Sequence, residues 1–366
     1  MNKRDTYFKE IQEIEHDLHT ILKHTSFSYP KPTNSKKERK KFFKKFANDE
    51  KYNPQLEYHS REVDNHIIDQ LIQLKNSISK SNDLYNIKRL IIEKIDERIT
   101  TLQMFKTWGT IESSTYSLKC KGKPSKKIYN EALKYIKEFE RETVSFKRLT
   151  VKRLGRELQK EVKRISGEHI NVEFMELANK LSIDASTNII RINPQERFTS
   201  LDLKRLLVHE IQTHYQRYYN ATKLPFKILE RGTAQYVATE EGLAVYMEHI
   251  HNVLSKAQLY IYAGRVVATY LCTKKSFYDI FIILRNLGFK DEDAYSITLR
   301  SKRNIKDTSQ KGGYTRDYVY FQGFLEVSKH IEKNPQDFEK LFIGKIKLKD
   351  LRTLKKFFKD LEKGLI

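Results

Sequence analysis

The sequence His-Glu-Ile-Gln-Thr-His at residues 209–214 constrains this chain more than any other feature. Neutral imidazole nitrogens are common zinc ligands, and a glutamate beside a metal can accept a proton from water. In the HExxH motif the two histidines lie four residues apart on one helix face. Here they lie five apart, roughly 140° around an ideal α-helix, so both reach one metal only if the helix widens locally, as at a π-bulge. The alternative is structural, with His209 in the core and His214 in solvent.

The residues before the motif predict a buried helix that follows a strand. Thr199 or Ser200 can cap the helix, and Asp202 is favourable in its first turn. Apolar residues at 203 and 206–208 predict that at least one helix face is buried. Upstream, residues 188–192 predict a short strand that ends before a proline. A strand followed by a metal-binding helix is typical of zincin proteases, in which a strand edge can bind extended substrate.

Two histidines leave a catalytic zinc site short of a third protein ligand. The adjacent Glu240 and Glu241, farther along the chain, are the candidates. Neighbouring carboxylates repel each other, and a helix N-terminus together with a cation offsets that repulsion. Gly242 permits another backbone or the metal helix to approach closely. An acidic first helical turn without any metal is the alternative, and the spacing does not choose between the two glutamates.

The chain resembles the microtubule-associated tyrosine carboxypeptidase family, which includes bacterial proteins with a QEGLA motif. The resemblance rests on three ordered blocks: LLVHEIQTH at 206–214, TEEGLA at 239–244 and GGYTRDYVY at 312–320. Arg300 and Arg303 precede the third block as arginines do in the family. Weaker similarity runs from about residue 52 through the C-terminal half.

The resemblance implies roles for the residues of these blocks. His209, His214 and Glu241 hold one Zn²⁺ per chain, and Glu210 is the general base. Glu241 directly precedes the glycine and matches the ligand of the family, with Glu240 as the fallback.

A carboxypeptidase also needs groups that bind its substrate. An arginine fork suits the terminal carboxylate of a peptide, and a tyrosine hydroxyl can stabilise an oxyanion. The candidates for substrate binding are Arg217, Arg300, Arg303, Arg316, Tyr314 and Tyr320, with Tyr246 and Tyr318 as further oxyanion donors. Among 69 Lys plus Arg and 21 Tyr, the sequence does not choose between them. Gln212 replaces a glycine of the family motif, which predicts a strained helix or a narrower cleft.

The net charge of +22 predicts a very basic surface, and much of the excess lies in the first half, as at residues 36–45. Such a surface suits an acidic protein tail, nucleic acid or an anionic membrane surface. The alternative is a lysine-rich chain without a specific partner, and nucleic acid is not the favoured one. Phe42, Phe43 and Phe46 within this basic run either stack on bases or dock an amphipathic helix on the protein's own domain.

The cysteines and the N-terminus favour a cytoplasmic protein. Cys120 and Cys272 form neither a CxxC motif nor a disulfide framework, which favours a reducing compartment. The first ten residues lack the apolar segment of a signal peptide. Since no apolar run approaches the roughly 18 residues that span a bilayer, we expect no membrane span.

Helical periodicity dominates the remaining sequence. Helices are predicted at residues 5–24, 67–78, 85–103, 128–140, 149–166, 257–272, 277–287, 318–332 and 348–361, loops at 119–127 and 302–311, and a further strand at 172–174. We therefore expect an α+β, mostly helical, zincin-like metallopeptidase domain at 53–366, with a small β-sheet and a metal-binding HExxxH helix. A helical, basic N-terminal extension is expected at 1–52.

The leading hypothesis is a zinc metallo-carboxypeptidase that removes the last residue of a protein or peptide. An acidic C-terminal segment is a candidate substrate. Tyrosine or another aromatic is the candidate for the removed residue, on resemblance alone. One alternative is an aminopeptidase or endopeptidase on the same scaffold. Another is a non-catalytic, basic binding or regulatory protein with a structural or vestigial metal site. The sequence fixes neither the substrate nor the oligomeric state.

Overall fold

A computed structural model describes residues 3–23, 25, 29–59, 62–79, 82–140, 146–177 and 180–365. Helices dominate these ranges, and the strands form one two-stranded and one three-stranded sheet. The mostly helical α+β class is therefore confirmed. Across the described ranges, every helix is too short or too polar to cross a membrane. Cys120 and Cys272 are free thiols in the interior.

Most of the strands lie together in the middle of the chain, between two groups of helices. Before residue 167 the helices are α1 (Lys3–Leu22), α2 (Ser35–Ala47), α3 (Asn65–Ser77), α4 (Ile87–Lys106), α5 (Ile111–Lys121), α6 (Lys126–Glu138) and α7 (Val151–Ser166). The strands are β1 (Arg148–Leu149), β2 (Asn171–Phe174), β3 (Leu181–Asp184), β4 (Ile189–Ile192) and β5 (Phe198–Thr199). Then come α8 (Ser200–Leu206), a π-helix (Leu207–Tyr215), α9 (Gln216–Thr222), α10 (Ile228–Arg231), α11 (Val237–Ile250), α12 (Lys256–Cys272), α13 (Phe277–Asn286), α14 (Asp291–Lys302), α15 (Val319–Lys333), 3₁₀ turns (Pro335–Asp337 and Glu339–Phe342), α16 (Asp350–Thr353) and α17 (Lys355–Glu362).

The predicted helices are confirmed with ends shifted by a few residues, and residue 24 lies outside the described ranges. The loop predicted at 119–127 is wrong in its first part, because α5 continues to Lys121. The C-terminal helix predicted at 348–361 is broken at Leu354 into α16 and α17. α5 and α14 were not predicted.

The three-stranded sheet has the order β2-β4-β3, with β2 parallel and β3 antiparallel to β4. The strand predicted before the metal helix is β4, and it is confirmed as a strand. β4 is the central strand, so both of its edges are already paired. The prediction that this strand offers an edge to an extended substrate is therefore wrong. Within the described ranges β3 is a terminal strand of this sheet, so its outer edge is unpaired.

The two N-terminal helices contribute to the cores of the protein. Tyr7 and Ile11 of α1 belong to an apolar cluster that also contains Met247 of α11. Phe42 of α2 is fully buried and its ring packs edge-to-face on Phe281 at 4.8 Å. The basic helix therefore docks on the protein itself, and Phe42 is not exposed for stacking on bases. The domain boundary between residues 52 and 53 stays a prediction.

α11 and α15 pack backbone against backbone. A Cβ atom at Gly242 of α11 would lie 2.2 Å from the carbonyl carbon of Gly323 in α15. A Cβ at Gly323 would lie 2.0 Å from the carbonyl oxygen of Ala238. The close approach expected at Gly242 is confirmed, and the neighbour is α15. This contact fixes the position of the helix that carries Glu240 and Glu241.

Candidate metal centre

The helix that carries the two histidines is widened over nine residues. Thr199 caps α8 in a capping box with Asp202, so the predicted start is confirmed. α8 continues directly into the π-helix, in which backbone bonds join residues five apart. Residues i and i+5 consequently share a face, and the imidazole centroids of His209 and His214 lie 4.8 Å apart. The widening that this spacing requires is therefore present, over more residues than a single bulge.

Glu241 meets both histidines. Its Oε2 atom lies 3.5 Å from Nε2 of His209 and 3.7 Å from Nε2 of His214. One ligand atom from each of the three side chains lies within 4.8 Å of the others. These three residues could hold a metal ion.

Two further carboxylates orient the imidazole rings. Nδ1 of His209 donates to Oε1 of Glu248 at 2.6 Å, and Nδ1 of His214 donates to Oε1 of Glu240 at 2.8 Å. Both Nε2 atoms are thereby turned towards Glu241. Glu240, the fallback ligand, thus faces the outer nitrogen of His214.

The role of Glu248 was missed in the sequence, although a signal existed. Glu248 lies seven residues after Glu241 on α11, and seven residues make almost two helical turns. Both carboxylates therefore project from one helix face towards the histidines.

The carboxylates favour positive charge at the imidazoles. Burial opposes charge on His209, but hydrogen bonds to Glu241 and Glu248 outweigh it and raise its pKa to about 9. At His214, burial is outweighed in the same way by Glu240 and Glu241, and the pKa rises to about 10. Burial would raise the pKa of Glu240, yet Arg217 and His214 lower it to about 2. The centre between the three side chains is thus a site for positive charge.

His214 and Glu241 border an open cleft of about 610 Å³. Its lining includes Ser182 and Asp184 of β3, Glu210, His214, Tyr236, Glu241 and Lys345. Glu210, the predicted base, therefore lies in the same cleft as two of the three candidate metal ligands. Tyr236 and Lys345 were missed, and nothing in the sequence distinguishes them from the many other tyrosines and lysines.

Gln212 points away from this cleft. Its side-chain amide donates to Oε1 of Glu161 in α7 at 2.7 Å. The expectation of a narrower cleft is therefore wrong, because the side chain lies on the side of the π-helix that packs on α7.

The structure separates the four candidate arginines. Nη2 of Arg316 lies 3.8 Å from Oε1 of Glu241, next to the candidate metal ligands. Arg300 and Arg303 both pair with the buried carboxylate of Asp317. Burial alone would raise the pKa of Asp317, but Arg303 and Arg300 hold it well below its usual range. Arg217 is fully buried, so it does not reach the cleft surface.

The two candidate tyrosines lie in different surroundings. Tyr314 is fully buried beneath Arg303, whose guanidinium lies 4.6 Å from the ring centroid, and its hydroxyl has no hydrogen-bond partner within the described ranges. Tyr314 is thus an interior residue. Tyr320 stacks on Tyr262 at 4.8 Å. Burial raises its pKa well above the usual range, and the charge of Glu241 adds to this rise.

Comparison with known proteins places these features in a family context. The sequence model of the family described as "Microtubule-associated tyrosine carboxypeptidase" matches residues 40–364, and so begins inside the predicted N-terminal extension. The mouse protein named microtubule-associated tyrosine carboxypeptidase 1 is 30% identical over 184 residues, which cover 44% of this chain and 37% of that protein. The human protein of the same name is 29% identical over 161 residues, covering 42% of this chain and 33% of that protein. The chain thus matches about a third of the length of these relatives.

Proposed function

The chain belongs to the microtubule-associated tyrosine carboxypeptidase family, and we propose that it is a zinc-dependent carboxypeptidase with a zincin-like catalytic site. In this proposal His209, His214 and Glu241 hold one zinc ion, and Glu210 is the general base. The substrate is the C-terminus of a protein or peptide. A tyrosine or another aromatic residue is the proposed leaving residue, in line with the names of the relatives.

Zinc is proposed because the donor atoms and their spacing fit it. Two ligands about 2.0–2.1 Å from a tetrahedral zinc lie roughly 3.3 Å apart. Glu241 Oε2 lies 3.5 and 3.7 Å from the two Nε2 atoms. Each Nδ1 meanwhile donates to a carboxylate, as metal-binding histidines usually do. This arrangement of two histidines, each with an outer carboxylate and both facing Glu241, is the observation that carries the proposal.

In this proposal the side chains of the cleft and those beside Glu241 divide the work of peptide hydrolysis. Zinc held here would supply Lewis acidity, which polarises a carbonyl and acidifies water. Glu210 accepts a proton from the attacking water and passes it to the amine as the C–N bond breaks. Arg316, beside Glu241, binds the terminal carboxylate with its planar fork. Tyr320 is the proposed donor to the developing oxyanion, because it lies near the charge of Glu241.

The outer edge of β3 is the proposed surface for the substrate backbone. β3 is the terminal strand of its sheet, and Ser182 and Asp184 line the cleft that contains Glu210 and Glu241. An extended peptide can add to such an edge through main-chain hydrogen bonds. Its last peptide bond would then approach the base and the proposed zinc.

The decisive experiment compares the wild-type protein with Glu210→Gln. Metal content is measured by mass spectrometry, and hydrolysis is followed on peptides that differ only in their last residue. We expect about one zinc per chain in both proteins, with release of the last residue only by the wild type. An amidated peptide is the control, because it lacks the carboxylate that Arg316 would bind. Activity retained in Glu210→Gln, or a wild type that binds no zinc, would refute the proposal.

A map of the products on a longer peptide separates carboxypeptidase action from the alternatives. Loss of residues from the C-terminus alone supports the proposal. Internal cuts, or loss from the N-terminus, would assign the same site to an endopeptidase or an aminopeptidase.

A further inference from the structure

Arg217 is a fully buried cation just beyond the π-helix. Its Nη1 atom pairs with Oε2 of Glu240. Its Nε donates to the carbonyl oxygen of Leu341 at 2.7 Å, and its Nη2 to those of Gly344 at 2.6 Å and Ile346 at 3.2 Å. The position of the guanidinium is thus fixed by a carboxylate on one side and by the segment 341–346 on the other.

Glu240 lies between this guanidinium and the imidazole of His214. One carboxylate oxygen pairs with Arg217, and the other accepts from Nδ1 of His214 at 2.8 Å. A buried carboxylate without a cation is strongly unfavourable, so removing the guanidinium fork forces Glu240 to move. This movement alters the hydrogen bond that fixes the ring of His214.

The other histidine has a weaker anchor. Glu248, which accepts from Nδ1 of His209, is approached by Nη1 of Arg205 at 3.3 Å. Its second oxygen is buried and has no hydrogen-bond partner in the part of the chain that the structure describes. The hydrogen bonds that start at His214 therefore lead to a distant segment of the fold. Those that start at His209 end at Arg205, close to its own helix.

We propose that Arg217 is a positioning residue that couples the segment 341–346 to the orientation of His214, by way of Glu240. The inference deepens the proposed function, since it rests on His214 as a ligand of the proposed zinc. Residues nearly 130 positions apart thus set the geometry of one ligand, and the C-terminal part of the chain is needed for metal binding although it supplies no ligand.

The test uses Arg217→Lys, which retains a positive charge but loses the fork that serves four acceptors. The matched control is Asn220→Ala. Asn220, on the same helix α9, donates to the carbonyl oxygen of Phe342 at 3.0 Å, and within the described ranges no hydrogen bond joins it to Glu240. Both variants loosen the same segment, but only one disturbs the path to His214.

Zinc affinity is measured by competition with a chromogenic chelator, and the visible spectrum of the cobalt-loaded protein reports the geometry of the site. For Arg217→Lys we expect zinc affinity to fall about tenfold to a hundredfold, as for other outer partners of metal-binding histidines, and the cobalt spectrum to change. For Asn220→Ala we expect a zinc affinity within about twofold of the wild type and an unchanged spectrum, whatever its loss of thermal stability.

Arg217→Lys with wild-type affinity and spectrum would overturn the inference, and so would an equal loss in both variants. If Arg217→Lys does not fold, Glu240→Gln takes its place, because it keeps an acceptor oxygen for His214 and removes the charge that Arg217 binds. We expect the same fall in affinity, and wild-type binding by this variant would also overturn the inference. A wild type without zinc affinity is a different failure, which refutes the proposed function itself.

Discussion

Replacement of Gly242 by alanine tests how far the candidate site depends on the contact between α11 and α15. The new Cβ would lie 2.2 Å from the carbonyl carbon of Gly323, and ordinary contact begins at 3.4 Å. The two helices must therefore part by about 1.2 Å. Metal–ligand distances tolerate about 0.2 Å, and α11 carries Glu241, Glu240 and Glu248. We expect zinc affinity to fall well beyond tenfold.

The same change should also destabilise the fold. Overpacking costs roughly 1–3 kcal/mol, and alanine in place of glycine recovers about 1 kcal/mol in a helix interior. Because the atoms in the way are backbone atoms that cannot rotate aside, we expect a net loss of about 2 kcal/mol or more.

Urea denaturation of the metal-free protein and chelator competition measure the two effects. Gly155→Ala in α7 is the matched control, because its Cβ would meet only side-chain methyl groups, the nearest of them on Val172 at 3.0 Å. We expect that control to stay within about 1 kcal/mol of the wild type. Gly242→Ala with wild-type stability and zinc affinity would show that α11 is not positioned by this contact.

Two further predictions concern Lys345, which lines the cleft, and Glu15 of α1. Lys345 lines the cleft, and Lys345→Met should raise KM about tenfold or more for peptides with an acidic residue beside the cleaved bond, with kcat unchanged. The reason is that a hydrogen bond to a charged group contributes about 1.5–3 kcal/mol. An equal rise in KM for a neutral peptide would contradict this prediction. Burial raises the pKa of Glu15 from 4.5 to about 7, so its contribution to stability is fully present below pH 4.5 and is lost as the pH rises to about 7. Urea denaturation across this range should show the wild type losing stability relative to Glu15→Gln, and parallel pH profiles would refute the assignment.

The candidate metal ligands could be predicted from the sequence because their identities and spacing are local properties. His209 and His214 share a six-residue motif, and the i, i+5 spacing itself requires the wider helix that is present. The outer carboxylates were harder to find. Glu248 becomes informative only once α11 is known to present that face to the π-helix, and Arg217 only once the segment 341–346 is folded against it.

The missed helices bury polar side chains, which hides their periodicity. α5 turns Ser113, Ser114 and Ser117 into the protein, and Ser117 bonds to Thr315. α14 buries Lys302, whose ammonium group donates to backbone carbonyls. A pattern of apolar residues does not detect such faces, because the partners that satisfy them come from distant parts of the chain.

Charge balance around the candidate site supports the proposed divalent metal. Arg217 pairs with Glu240, and Arg205 lies 3.3 Å from Glu248. Each outer carboxylate therefore has its own guanidinium, and these two pairs add no net charge. Glu241 and the two imidazoles lie between these pairs.

Glu241 is the carboxylate that faces both imidazoles. In the metal-free protein the raised pKa values of His209 and His214 favour a proton on each ring at neutral pH. A zinc ion bound between these groups would supply two positive charges and displace those protons, because only neutral imidazole binds a metal. Arg316 lies 3.8 Å from Glu241 and adds a positive charge beside the site. The anionic end of a peptide would pair with that charge and an internal peptide bond would not, and this favours the proposed carboxypeptidase over an endopeptidase.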